Sequence, residues 1–348
     1  RIHRYGPHIF HTSDPGIVAY LGRFTEWLPY THCVEALVAG CGYVPLPINL
    51  TTLNRLYHLQ LTDEAGMRAY LAAVRAHHDP ARNARQALEN QFGPALTELF
   101  FARYSRTMWG MPLDDLPAAV VARLPVRYSD ERSYFSDTFQ AMPAQGYLGL
   151  FQRLLDHPRI TVRLGVSFAK DMEASYHHIF NSMPIDTYFD EVHGRLPYRS
   201  IRFEHRAVQD HQQPVPTVNL TDGGPVTRIT DWRLYPGCDR AGAAAASSTS
   251  ESAGARADVG ADTRARTTAI LTSEYPCSQE ENGMERYYPV KTVDGEPQRI
   301  YQLYRRLAEG LPHMTFVGRC GQYTYFDMHQ VVANSLTISR RFLARPGA

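Results

Sequence analysis

The chain is poor in cysteine, in net charge and in long apolar runs, and each shortage closes off a class of protein. Its five cysteines, Cys33, Cys41, Cys238, Cys277 and Cys320, are odd in number and scattered. No Cys-x-x-Cys pair occurs, so neither a disulfide framework nor a zinc ribbon is indicated, and a reducing cytoplasm is the expected home. Basic and acidic side chains nearly balance, leaving a net charge of +1. No bulk field therefore selects nucleic acid or an anionic membrane, and any anion site must be local. No apolar run reaches the ~20 residues of a membrane-spanning helix, and no signal peptide is visible. The opening residues Arg1-Ile-His-Arg-Tyr-Gly6 read like the middle of a domain, so a truncated start is expected. No convincing Ser-His-Asp or Cys-His set stands out. His8 and His11 are three apart, but two histidines without a third ligand are weak evidence for a metal, and none is expected.

What is present is an ordinary globular composition, 44% hydrophobic and 20% charged, over 348 residues. That length suffices for two or three domains and a large core. Tyrosine is abundant, at 21 residues, which suits polar-aromatic pockets. The stretch from Tyr104 to Asp137 gathers Arg123, Arg127 and Arg132 among Tyr104, Trp109, Tyr128, Tyr134 and Phe135. Guanidinium forks suit phosphate oxygens, and flat rings suit bases, sugars or a flavin. Pro112, Pro117 and Pro125 predict loop and short helix there, and loops on a rigid scaffold are where binding groups concentrate.

Taken in order, Ser13-Asp14-Pro15 predicts a helix start, with Ile17, Tyr20, Leu21 and Phe24 as its apolar face. Residues 34–50 predict a hairpin turning near Gly40–Gly42. Thr62 or Asp63 caps a helix carrying Met67, Tyr70, Leu71 and Val74, and a second helix from about Arg85 is interrupted at Gly93-Pro94. Together these form a helical insertion with Tyr104 and Trp109 at its exit. Gly146–Leu155 predicts a short helix. Strands are expected at 160–168, 176–180, 195–203, 215–220, 226–232 and 270–275, and again from Met314 to Arg319. Helices are expected over 300–307, closed by Gly310, and over 328–343. Residues 238–268 contain almost no large apolar groups and are expected to form a disordered insertion.

A dozen segments, in order along almost the whole chain, resemble the prokaryotic UDP-galactopyranose mutases. They include Tyr5-Gly-Pro-His-Ile-Phe-His-Thr12, Leu46-Pro-Ile-Asn-Leu50, Trp109-Gly, Arg123-Leu-Pro-Val-Arg127, Tyr134-Phe-Ser-Asp137, Pro184-Ile-Asp and Tyr198-Arg-Ser200. Thr227-Arg-Ile229, Glu274-Tyr-Pro276, Tyr287-Tyr-Pro-Val290, Gly318-Arg319 and Tyr325-Phe-Asp-Met-His-Gln330 continue the series. The resemblance implies an isomerase that interconverts UDP-galactopyranose and UDP-galactofuranose with reduced, non-covalently bound FAD, through a flavin N5–sugar adduct. It implies a role in cell-wall polysaccharide biosynthesis, a UDP-sugar as partner, neither nucleic acid nor membrane, and a possible homodimer. Two alternatives stay open: a catalytically impaired UDP-sugar-binding homologue, and a flavoprotein oxidoreductase on the same scaffold.

Residue by residue, the resemblance assigns Arg123, Arg228 and His11 to catalysis, with the two arginines on the diphosphate. It assigns Tyr104, Trp109, Tyr134, Tyr288, Tyr325 and Asp327 to the substrate, and His8, Arg199, Arg319 and Met328 to the cofactor. The fold it implies is α/β: an incomplete Rossmann-like FAD-binding portion, a helical insertion and a twisted, largely antiparallel sheet. The FAD-binding portion would comprise 1–33, 140–185 and 310–348, and the insertion 51–110. The sheet domain would comprise 34–50, 111–139 and 186–309. The chain departs from the family where a Gly-x-Gly-x-x-Gly unit is absent, where His32 replaces the usual Asn, and at Ser182-Met183 and Gln145, which replace glycine-containing positions.

Overall fold

A computed structural model describes residues 2–122, 124–236 and 268–345. Arg123 and the 238–268 insertion, apart from Thr268, lie outside the described residues. The strands are β1 (Phe10–Thr12), β2 (Trp27–Pro29), β3 (Val34–Val38), β4 (Gly42–Leu46), β5 (Phe139–Pro143) and β6 (Ile179–Asn181). They continue with β7 (Tyr198–Gln209), β8 (Thr217–Leu220), β9 (Arg228–Asp231), β10 (Thr268–Ser278), β11 (Tyr288–Pro289) and β12 (Met314–Phe316). The helices used below are α1 (Pro15–Gly22), α2 (Leu50–Tyr57), α3 (Glu64–Val74), α4 (Ala84–Phe92), α5 (Arg103–Trp109) and α6 (Gly146–Leu155). The last are α7 (Ile185–Tyr188), α8 (Glu296–Glu309), α9 (Gly318–Gly321) and α10 (Met328–Leu343).

The architecture is mixed α/β. Seven strands form one sheet in the order β11-β7-β10-β9-β8-β3-β4, antiparallel except where β3 runs parallel to β8. The early hairpin β3–β4, ending at Leu46, is thus built into the same sheet as strands that begin only at Tyr198. A second sheet has the order β1-β5-β2, and β12 pairs in parallel with β6.

Local chemistry explains most of the helices. Asp14 caps α1, accepting from Gly16 N at 2.7 Å, and Pro15 supplies its first turn. Asn49 and Thr52 form a reciprocal box at the start of α2. Asp63 accepts from Gly66 N at 2.8 Å to begin α3. From Pro94 to Trp109 the chain stays helical, passing through a π-helical stretch at Thr97–Ala102 before α5 ends at Gly110, φ +70°. Asp327 and Gln330 box the start of α10.

The largest apolar cluster packs α2, α3 and α4 on the β3–β4 side of the sheet, burying Val44, Ile48, Leu53, Met67, Leu88, Phe92 and Leu113. Burying each such side chain stabilises the fold by ~1.5–3 kcal/mol. A second cluster joins Tyr188, Leu196, Tyr198, Tyr304, Met314 and Phe316, tying β12, α7 and α8 to β7.

Two expectations are corrected. Residues 160–168 alternate as a strand does, yet no strand forms, because no described segment lies alongside to complete a ladder; Val162, Leu164 and Val166 stay exposed. In 176–180 only the end is extended, after a 3₁₀ turn over Lys170–Ser175. Gly310 closes α8 as expected, at φ −78°, an ordinary right-handed conformation.

Candidate active site

Arg228 opens β9, and the sheet register gives it two polar neighbours. Its Cα pairs with Glu274 on β10 and with Asn219 on β8. Its Nε donates to Asn219 Oδ1 at 3.1 Å, and its Nη1 lies 3.6 Å from Glu274 Oε2. Burial opposes the charge on Arg228, but Glu274 and the phenols of Tyr104, Tyr134 and Tyr288 more than offset it, so the guanidinium stays a cation. Burial pushes the Glu274 carboxyl up, and Arg228 pulls it back only in part.

The phenols come from three separate elements. Tyr104 arrives on α5, Tyr288 on β11, and Tyr134 from the loop before β5. Burial pushes the Tyr104 and Tyr288 hydroxyls up, so both remain protonated donors at neutral pH. The Tyr288 ring stacks on Tyr325 at 5.4 Å and meets the edge of Trp109 at 5.9 Å. Arg319 places its guanidinium 4.4 Å from the centre of the Tyr325 ring while donating to Phe326 O at 2.7 Å. Desolvation lowers the His8 pKa, against the pull of its Gly6 carbonyl contact and with the help of nearby Arg319.

A column of rings closes the other side. His11 stacks flat on Phe135, with centroids 3.7 Å apart and planes 11° from parallel. His32 stacks on Phe135 at 5.8 Å, and Tyr134 meets His32 edge-on at 5.7 Å. Burial, with Arg228 and His11 close by, lowers the His32 pKa to about 3, so it is a neutral ring whose Nδ1 meets Tyr30 Oη at 3.2 Å. The groups therefore form one continuous polar-aromatic cluster, running from Glu274 and Arg228 through the tyrosines to Arg319 and His8, and through His32 to His11. Such a cluster can hold a multiply charged anion by convergent donors. Among the described residues no three His, Cys, Asp or Glu side chains are placed to hold a metal ion.

Other expected residues are occupied elsewhere. Arg199 donates to Met108 O at 2.8 Å and Thr107 O at 3.1 Å, closing the C-terminal end of α5. Met328 packs among Phe10, Ile17 and Leu21. Asp327 sits at the N-terminus of α10, in the box with Gln330. In the arginine-rich stretch, Arg132 pairs with buried Glu35, and Arg127 donates to Ser133 O at 3.4 Å, so both serve the scaffold.

Sequence reasoning marked Phe135 only as a ring of the arginine-rich stretch and passed over Glu274, Asn219, Asp137 and His329 as site residues. Glu274 and Asn219 are set opposite Arg228 by cross-strand register, which leaves no mark in either strand alone. Asp137 and His329 stood inside quoted motifs and were not singled out.

Comparison with known proteins places the chain in a family. The family described as UDP-galactopyranose mutase matches residues 99–255 and 259–325. A relative from Klebsiella pneumoniae, a probable UDP-galactopyranose mutase, is 32% identical over 99% of this chain and 82% of its own length. An Escherichia coli relative, a dTDP-fucopyranose mutase, is 31% identical over 98% of this chain and 85% of its own. A solved structure of a reduced UDP-galactopyranose mutase superposes with a TM-score of 0.66, covering 98% of this chain and 85% of that one. At 14% identity that last likeness speaks for the fold alone.

Proposed function

The chain belongs to the UDP-galactopyranose mutase family, an isomerase family, and from that premise we propose that it interconverts UDP-galactopyranose and UDP-galactofuranose with reduced FAD bound on the His8–Arg319 side of the cluster. The observation that carries the reading is half-buried Arg228, kept cationic beside three phenols drawn from distant parts of the chain.

The residues present suit the ring end of a flavin. His329 Nδ1 is buried without a partner beside His11. Gly318 adopts φ +73°, and a side chain there would meet nothing nearer than Ser182 Cβ at 4.0 Å. His8 and Arg319 would hold the cofactor directly. Arg199 would act through the helix it anchors, and Met328 through the apolar base beneath α10. When bound, reduced FAD supplies the nucleophile that displaces the nucleotide from the anomeric carbon of the sugar.

The chain's own work is electrostatic. A departing UDP carries roughly two charges on its diphosphate, and one opposed charge pair near a protein surface is worth up to about 4 kcal/mol. Arg228 meets that charge, with Arg123 assigned as its second cation by resemblance. Tyr104, Tyr134, Tyr288 and Tyr325 donate to phosphate and sugar oxygens, Trp109 walls the substrate beside Tyr288, and Asp327 is assigned to the sugar by resemblance alone. His11 completes the catalytic set. We assign 1–33, 140–185 and 310–348 to the cofactor portion, 51–110 to the helical insertion and the remainder to the sheet domain. We place the enzyme in the cytoplasm, supplying galactofuranose for a cell-wall polysaccharide and working as a homodimer.

A second reading rests on the Escherichia coli relative, whose similarity is equal within a percentage point: the sugar would then be a dTDP-linked 6-deoxyhexose. The test is purified protein reduced with dithionite and offered UDP-galactofuranose or dTDP-fucofuranose, with products separated by chromatography. Faster conversion of the first supports the principal reading, and faster conversion of the second supports the alternative. Bound flavin with neither conversion would remove both.

A further inference from the structure

The His11 ring is fixed more firmly than strand pairing requires. β1 and β5 are already joined through Phe10↔Ala141, His11↔Gln140 and Thr12↔Phe139. In addition, His11 Nδ1 meets Asp137 Oδ2 at 2.7 Å. The other oxygen of Asp137 accepts from Ser13 Oγ at 3.1 Å, and Ser13 Oγ accepts in turn from Thr138 N at 3.2 Å. Phe135 lies flat against one face of the imidazole, and His329 approaches edge-on at 5.2 Å. The His11 side chain is 12% exposed and that of Asp137 23%. An ionised carboxylate only accepts hydrogen bonds, so Nδ1 must carry the hydrogen, and in the neutral ring Nε2 is left as an acceptor. Among the described residues Nε2 has no hydrogen-bond partner. Asp137, Ser13 and Phe135 thus fix both the angle of the ring and the nitrogen that carries the hydrogen, beside the cluster that contains Arg228.

We propose that Asp137 is a positioning residue, which holds His11 as the Nδ1–H tautomer so that Nε2 accepts a hydrogen bond from a donor on the bound ligands. That donor is a hydroxyl of the sugar or an N–H of the cofactor. The kinetic part of this inference rests on the mutase reading, whereas the tautomer assignment does not.

The experiment uses the full chain labelled with ¹⁵N-histidine, at an alkaline pH where imidazoles are neutral. Two-bond nitrogen–proton correlation identifies the tautomer of each ring, and the signals lost in His11→Gln assign His11. In the native protein His11 shows a single tautomer, protonated on Nδ1. In Asp137→Asn that single tautomer is lost and kcat falls at least about 100-fold. If flavin content is retained and KM is unchanged, the donor belongs to the sugar; if flavin is lost in parallel, it belongs to the cofactor. A native ring protonated on Nε2 overturns the proposal, and that spectrum needs no variant to fold. A variant that keeps either the single tautomer or the native kcat also overturns it. If the native protein converts no sugar nucleotide, the mutase reading falls while the tautomer result still stands or fails by itself.

Discussion

Arg228 is the residue whose setting matters most, and that setting decides how to probe it. Removing it outright leaves Glu274 buried without its cation, and breaking such a pair typically costs ~3–5 kcal/mol of stability. Loss of activity in Arg228→Ala would therefore mix chemistry with unfolding. Arg228→Lys keeps the charge but loses the planar fork, so it cannot donate to Asn219 and to a phosphate in the same geometry. We expect its melting temperature to stay within a few degrees of the native value while kcat/KM falls about 100-fold, as a loss of ~2.7 kcal/mol requires. Equal activity in the two proteins would remove Arg228 from the diphosphate site. At this scale much was legible beforehand: Tyr104, Tyr134, Tyr288 and Arg228 come from segments up to 184 residues apart and lie in one cluster. Glu274 and Asn219 were not legible, because they owe their places to register. A strand shows which of its residues share a face, but not which residue of another strand lies opposite.

Elements with strong local chemistry were readable, and those that need a partner were not. Asp14-Pro15 and Asp63 are each followed by the helix they announce, because a cap satisfies amides within its own turn. Residues 160–168 carry the alternation of a strand without becoming one, since alternation describes a face and a ladder needs a neighbour. The end of α5 depends on both kinds of information. Gly110 takes φ +70°, and a Cβ there would lie 2.9 Å from Arg199 Nη1. Gly110→Ala must therefore strain the backbone by ~1–2 kcal/mol and displace the guanidinium that closes the helix. Because Tyr104 and Trp109 ride on α5, the variant should also raise KM for the sugar nucleotide. Thermal melting and steady-state kinetics on one preparation would check both, and a lower melting temperature with native KM would mean that α5 does not carry substrate contacts.

At the scale of the whole molecule, buried neutral histidines make the fold sensitive to acid. Burial lowers the His32 pKa to about 3, against 6.5 when the ring is free, and lowers His3 to about 4. His8 shifts in the same direction, again chiefly by burial. Between the depressed value and 6.5 the unfolded chain binds a proton that the folded chain does not, so stability rises with pH across that window. It is fully present above 6.5 and is lost as pH falls toward the folded value. For His32 alone the loss on going to pH 5 is about 2 kcal/mol, at 1.36 kcal/mol for each pH unit below 6.5. His32 is surrounded by the Tyr30 hydroxyl, Arg228 and the His11 ring, so protonating it would add a cation next to the guanidinium proposed to receive the diphosphate. The ring column beside the candidate site is thus also a weak point of the entire fold. Replacing His32 by Asn removes the titrating group while keeping a polar side chain. The native protein should lose more melting temperature between pH 7.5 and pH 5 than His32→Asn does, by an amount matching about 2 kcal/mol. Parallel melting curves across that range would show that buried His32 does not govern the acid response, and that the carboxylate pairs elsewhere in the fold do.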